Sequence, residues 1–229
     1  MKSIAIIPAR SGSKGLKDKN IKELNGVPLL VYSINAAKDS GIFDEIMLST
    51  DCQLYADIAI ENGASVPFLR SVEQSTDNAG SWSVVEEVLR KYNEIGKRFD
   101  TVCLLQPTSP LRKAEDIVAG YEVFSSKQAD AVTAVCKVDH SPLWSMVLPE
   151  DGSLSGFRKN LRSVPRQKLD QYYRINGALY IRRVSYNEGQ VILWDCKEYA
   201  YIMDRRKSVD IDTIEDFELA EWYLQNKSF

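Results

Sequence analysis

The residues best equipped for chemistry stand in one short stretch near the N-terminus, Ala9-Arg10-Ser11-Gly12-Ser13-Lys14-Gly15-Leu16-Lys17-Asp18-Lys19-Asn20. It follows directly on an apolar run, Ser3–Pro8, that suits a strand buried on both faces. In open α/β sheets ligands bind beyond the carboxyl ends of strands, which is where such a loop lies. Glycine lets the backbone approach phosphate oxygens, and Arg10, Lys14 and Lys19 carry the charge to neutralise a triphosphate. The loop is neither G-x-G-x-x-G nor G-x-x-x-x-G-K-[ST], so it predicts neither a dinucleotide fold nor a P-loop ATPase. On spacing alone an ordinary surface turn explains it equally well.

A second pair stands far along the chain. Asp210 and Asp212 are two apart, and in an extended segment i and i+2 share one face, so both carboxylates could meet one divalent cation. A competing use is structural: Asp212-Thr213-Ile214-Glu215 reads as the capping box of a final helix. That use covers Asp212 and leaves Asp210 without a purpose.

Positioning these groups requires a sheet flanked by helices. Strands are predicted over Ser3–Pro8, Glu45–Thr50, Ser65–Leu69, Thr101–Gln106 and Ala131–Val138. Helices are predicted from Pro28 to a stop at Gly41, then over Gln53–Asn62, Ser81–Ile95 and Ala114–Ser125. Strands separated by helices give a three-layer α/β fold around a mostly parallel, twisted, Rossmann-like sheet. The alternation breaks after Val138; residues 139–173 are rich in Ser, Pro, Gly and basic side chains, an excursion that reads as a lid or dimerisation arm. Asn176–Arg183 and Tyr199–Met203 then read as strands and Thr213–Gln225 as a final helix. The whole of 1–229 is expected to be one domain with that excursion inside it.

Composition narrows the functional classes. With 229 residues and 44% hydrophobic side chains, the chain is able to bury a core. Lys and Arg number 29 against 32 Asp and Glu, which disfavours a nucleic-acid partner. No run is long enough for a membrane span, and the N-terminus does not read as a signal peptide, so a cytoplasmic protein is expected. Basic residues nonetheless cluster: six against one acid in 1–22, and eight against one acid in 157–183. Two basic segments on an acidic body suggest a cleft for a small polyanion, though solvated surface charge gives the same count. Cys52, Cys103, Cys136 and Cys196 form no C-x-x-C pair and His140 is the single histidine, so a zinc site is not expected. The cysteines read as small buried hydrophobes of a reducing compartment.

As a set, several motifs resemble one family. P-A-R-S-G-S-K-G-L at 8–16, K-N-I at 19–21, N-G-V-P-L at 25–29, L-S-T-D at 48–51, L-L-Q-P-T-S-P-L-R at 104–112, R-x-N-G-A-L-Y at 174–180 and D-I-D-T at 210–213 resemble the acylneuraminate cytidylyltransferases, or CMP-sialic acid synthetases, in the family's order. The resemblance implies a homodimeric enzyme that uses CTP and Mg²⁺ to activate a nine-carbon α-keto acid sugar, with loss of pyrophosphate. Such catalysis is chiefly positioning and electrostatics, in keeping with clustered bases and acids and no evident covalent nucleophile.

Roles follow from the resemblance. Arg10 and Lys19 match positions that hold the triphosphate and stabilise its transition state, with Ser11, Gly12, Lys14 and Asn20 in the same loop. Ser81 matches a hydroxyl that reads cytosine; it also reads as the N-cap of its helix. Asp51 faces the ribose, or caps the helix starting near Gln53. Gln106 is expected at the nucleotide or the sugar. Arg166, Arg174, Asn176 and Tyr180 match positions that engage the acid sugar or the phosphates, Arg166 taking the sugar carboxylate and Arg174 lying near phosphate. With the family in view, Asp210 and Asp212 read as the metal pair, Asp210 with Arg10 and Lys19 completing the catalytic set.

One departure points to the sugar. The family's sialic-acid members often place a basic residue after H-x-P-L, where this chain has Trp144, which favours a legionaminic- or pseudaminic-type acid. His140 is expected to be an ordinary loop residue and not a general base. A 3-deoxy-octulosonate substrate, another nucleotide, or a nucleotide-binding regulatory module are the rival readings. The intact Asp210 and Asp212 argue against the last.

Overall fold

The computed structural model of the chain describes residues 1–12, 15–76, 78–155, 157 and 169–226. Lys14 and Arg166 of the expected site lie outside them.

A seven-stranded sheet forms the middle layer. Its strands are β1 (Ser3–Pro8), β4 (Glu45–Ser49), β5 (Thr101–Leu104), β6 (Ala131–Lys137), β7 (Tyr173–Asn187), β8 (Gln190–Trp194) and β9 (Glu198–Ile202); β2 (Glu23–Leu24) and β3 (Val27–Pro28) make a separate ribbon. The order is β4-β1-β5-β7-β6-β9, with β8 paired to β7. Register shows β4, β1 and β5 parallel, β6 and β9 parallel, and β7 antiparallel to both β5 and β6. Thus β7 runs against the rest of the central sheet, and its N-terminal end reaches the rim where β1 and β5 end.

Helices α1 (Leu29–Ser40), α2 (Gln53–Glu61) and α4 (Ala114–Ser126) cover one face, and α3 (Ser81–Glu94) covers the other. The alternation of β1 shows why both faces need cover: Ala5 and Ile7 join the core under α1 and α4, while Ile4 and Ile6 join the core under α3. A third cluster seats α5 (Ile214–Gln225) through Phe217 and Ala220 on Leu24, Leu29, Leu111 and Ile211. Burial of about 25 cal/mol per Å² of apolar surface is the main favourable term for such a three-layer core.

The expected strand at Ser65–Leu69 reduces to one bridge between Ser65 and Met47. Pro67, which has no N–H, stands in the middle of that run and cannot donate to a ladder. Conversely, the strand expected over Asn176–Arg183 lengthens to Tyr173–Asn187 and turns back as β8. The turn is two residues, Glu188 (φ 49°) and Gly189 (φ 84°), both left-handed as a type I′ hairpin requires.

Residues 138–172 leave and rejoin the sheet between antiparallel neighbours, Lys137 lying opposite Tyr173 and the Val138 N–H donating to the Tyr172 carbonyl at 3.1 Å. The described residues there include a 3-10 turn, Pro142–Trp144, with Leu143, Trp144, Val147 and Leu148 exposed. Among the cysteines, Cys103 and Cys136 are buried as expected; Cys52 is half-buried and Cys196 exposed, so burial does not explain those two.

Candidate functional site

The basic loop leaves β1 beside the end of β4 and is tied down at several points. Asp51 accepts from the Ser11 N–H at 2.8 Å and from its hydroxyl at 2.9 Å. The Asn20 amide donates to the Arg10 carbonyl at 3.0 Å, and the Arg10 guanidinium donates to the Gly12 carbonyl at 3.2 Å. Asp51 therefore anchors the loop with both oxygens. It does not cap α2, whose N-cap is Cys52 without a side-chain bond.

The loop meets the late aspartates directly. Lys19 Nζ donates to the Ile211 carbonyl at 2.6 Å and to Asp212 Oδ1 at 3.0 Å. Gly15 is equally close: a Cβ there would lie 3.0 Å from the Asp212 carbonyl oxygen. The expected box at 212–215 is displaced by one residue, since Thr213 is the N-cap of α5 and Asp216, not Glu215, accepts from the Thr213 N–H at 2.9 Å. The Asp212 carboxylate is thereby released from capping and stands exposed beside Lys19.

Asp210 is more enclosed. Burial raises its pKa; the Thr108 hydroxyl opposes this by hydrogen bonding, the neighbouring Asp212 charge adds to it, and Lys19 and Arg174 pull the other way. The segment is fixed by the Ile211 N–H donating to the Thr108 carbonyl at 2.8 Å, in the loop after β5. Gly177 opens the space between: with φ +78°, a Cβ on it would lie 2.6 Å from Gln106 Oε1 and 3.3 Å from Asp210 Oδ2. Thus Gln106, Asp210 and the start of β7 converge, and Tyr180 follows on the same strand, its phenol raised by burial and by the Asp210 charge.

Arg10, Lys19, Asn20, Ser81 and Gln106 line one cavity of about 210 Å³. Ser81 is the first residue of α3 and not its cap, which is Gly80, so its hydroxyl is not engaged in capping. Arg174 is exposed at the rim and donates to the Ser208 carbonyl at 3.1 Å. Asn176 departs from expectation. It is 1% exposed, its amide donates to Ser208 Oγ at 2.8 Å and its carbonyl oxygen accepts from the Ala178 N–H at 3.1 Å. It braces β7 against the 206–208 turn, so its side-chain polar groups are bonded within the protein.

Two arginines escape sequence reasoning. Arg70 lines the same cavity and donates to Ser49 Oγ at 3.0 Å and the Ser49 carbonyl at 2.5 Å. Burial pulls its pKa down to about 10 against the support of Asp51 and Glu87. Arg112 lies beneath Gln106. Neither stands in a basic run or a periodic pattern; the one signal is that Arg112 closes the motif at 104–112.

As a cation site, the rim supplies two carboxylates, one of them half-buried and disfavoured by its like-charged neighbour. No group of three or more His, Cys, Asp or Glu residues able to hold a metal occurs among the described residues. One or two carboxylates with places left for phosphate oxygens and water is the donor set Mg²⁺ commonly takes. The residues fit such an ion brought with a polyphosphate.

A crowded basic loop at a strand end, facing a pair of acids across the rim of an α/β sheet, defines a nucleotidyltransferase-like architecture. Comparison with known proteins agrees. The family model described as Cytidylyltransferase matches residues 4–229, and the chain belongs to that family. It is 40% identical over 222 residues to the N-acylneuraminate cytidylyltransferase of Streptococcus agalactiae serotype V, which covers 95% of this chain and 52% of that protein. The chain thus spans about half the length of that relative. It is 35% identical to the CMP-N,N'-diacetyllegionaminic acid synthase of Legionella pneumophila, covering 98% of this chain and 97% of that protein. Among solved structures, a CMP:2-keto-3-deoxy-manno-octonic acid synthetase complexed with CTP superposes with a TM-score of 0.70 at 14% identity, covering 99% of this chain and 100% of that one, a likeness of fold.

Proposed function

We propose that the chain transfers CMP from CTP to the anomeric hydroxyl of a nonulosonic acid. The hydroxyl oxygen forms a bond to the α-phosphorus and gives up its proton to solvent, the bond from that phosphorus to the bridging oxygen breaks, and pyrophosphate leaves with that electron pair. The observation that carries this reading is the meeting of Lys19 with Ile211 and Asp212, which brings the phosphate-type loop and the acid pair to one place. Family membership and the names of the relatives support the nucleotide and the class of acceptor.

Within this reading Arg10 and Lys19, with Lys14 in the same loop, neutralise the triphosphate, and Ser81 reads the base. Gln106 orients the nucleotide or sugar from its seat on Gly177. Arg174 and Tyr180 flank the acceptor, and Arg166 takes its carboxylate. Asp210 and Asp212 would hold Mg²⁺, which supplies charge neutralisation on the phosphates when bound. Preorganised charge of this kind is the main resource of an enzyme without a covalent nucleophile.

For the acceptor, Trp144 and the near full-length likeness to the legionaminic-type synthase favour a legionaminic-type acid over N-acetylneuraminate. We further propose a homodimer built on the 139–173 arm, whose Leu143, Val147 and Leu148 are exposed. No helix among the described residues is long and apolar enough to cross a membrane, and the cysteines among them are unpaired, which suits our placement of the reaction in the cytoplasm. The test is a pyrophosphate-release assay over a nucleotide panel and a sugar-acid panel with Mg²⁺. Release with CTP and a nonulosonic acid, with stoichiometric CMP-sugar, is expected. Turnover only with 3-deoxy-octulosonate or with another nucleotide would transfer the reading to that relative's chemistry, and no turnover with any pair would refute it.

A further inference from the structure

Arg112 is the most deeply buried cation among the described residues, 2% exposed, and it makes no ion pair there. Its Nη1 donates to the Ala178 carbonyl at 2.8 Å and, at a longer 3.4 Å, to the Gln106 carbonyl. Its Nη2 donates to Ser33 Oγ at 2.6 Å, and Nε has no hydrogen-bond partner among the described residues. Asp116, four residues on, is already shared between Lys207 and Tyr201. A guanidinium buried without an ion pair, supported only by the charge of the more distant Asp116 and left with an orphaned N–H, is a poor way to stabilise a core, where an apolar side chain of similar volume serves better. Costly polar features of this kind cluster where function demands them.

The acceptors say what the demand is. Gln106 and Ala178 belong to different elements, the loop after β5 and strand β7, and the two elements face each other where Gln106 Oε1 occupies the space left by Gly177. Ser33 on α1 joins them, since its hydroxyl lies 3.4 Å from the Gln106 carbonyl and 2.6 Å from the guanidinium. A planar fork with donors in fixed directions is able to set the spacing of two carbonyls; a lysine ammonium is not. We propose that Arg112 is a positioning residue that clamps the Gln106 and Ala178 backbones together, so that the Gln106 carboxamide stays seated over Gly177 and aimed into the site. The kinetic consequence rests on the CMP-transfer reading above.

The test is a double-mutant cycle of Arg112→Lys with Gln106→Ala, read as kcat and KM for each substrate and accompanied by the side-chain amide NMR signal of Gln106. If Arg112 acts through Gln106, Arg112→Lys lowers kcat/KM for the sugar acid on the order of tenfold in the wild-type background and less than about twofold in the Gln106→Ala background. An equal loss in both backgrounds would mean a structural role only and overturns the proposal. The Gln106 amide signal is expected to shift or broaden in Arg112→Lys; an unmoved signal also overturns it, whether or not the protein turns over CTP. Wild-type turnover in the same assay reports separately on the CMP-transfer reading. Should Arg112→Lys fail to fold, Ser33→Ala, which removes one member of the clamp, is put through the same cycle and the same NMR measurement.

Discussion

Lys19 donates at once to the Ile211 carbonyl and the Asp212 carboxylate, so one ammonium joins the first loop to the last connection of the chain. Replacing it by Ala is expected to lower kcat on the order of 100-fold or more with a smaller effect on the KM for CTP, as loss of a preorganised donor does. An effect confined to KM in steady-state kinetics would deny it a transition-state role. Asp210→Ala is expected to abolish turnover while circular dichroism and the melting curve stay near those of the wild type. Gly177→Ala places a methyl 2.6 Å from Gln106 Oε1 at φ +78°, so it strains the backbone by about 1–3 kcal/mol and displaces the carboxamide. A drop in kcat/KM on the order of 100-fold is expected, as for a misplacement of about 1 Å. Residue types and motif order reveal Arg10, Lys19, Gln106 and Asp210 in the bare sequence. The inward turn of Asn176 and the clasp of Asp51 on Ser11 are hidden there, because both depend on partners 32 and 40 residues away.

At the scale of the element, periodicity is a good guide wherever a strand or helix is buried on a regular face. β1 and α1 begin and end within a residue of expectation because apolar runs and a left-handed Gly41 delimit them. It fails where one backbone feature decides. Pro67 dissolves a strand, Glu188-Gly189 adds one, and the cap of α5 moves by one residue because Asp216 is better placed than Glu215. The start of β4 carries a further consequence. Glu45 accepts from Lys97 and Ser65, which outweigh its burial and hold its pKa below the ordinary value of 4.5. The stability this contributes is present above the unfolded-state pKa and is lost as pH falls through the lower folded-state value. Denaturant titrations of Glu45→Gln are therefore expected to show a stability deficit near neutrality that shrinks as the pH falls below about 4. A deficit independent of pH would mean that the ion pair and hydrogen bond contribute nothing specific to the charged form.

For the molecule as a whole, strand–helix alternation makes the three-layer class evident, while the reversed direction of β7 is not readable from any local pattern. That reversal is what carries Arg174, Gly177 and Tyr180 to the rim where β1 and β5 end, so this part of the candidate site depends on topology. Light scattering is expected to give twice the 25.9 kDa of one chain; a fully active monomer would contradict the proposed role of the 139–173 arm. The way that arm is attached has an evolutionary corollary. Its two roots are cross-strand neighbours, Lys137 and Tyr173, so the ladder closes beneath it whatever its length. Closure entropy rises only by about 0.6 kcal/mol for each doubling of such a loop. Lengthening or shortening the arm is therefore expected to cost little and to leave the pairing of β6 with β7 intact, which makes it the segment of the chain freest to vary.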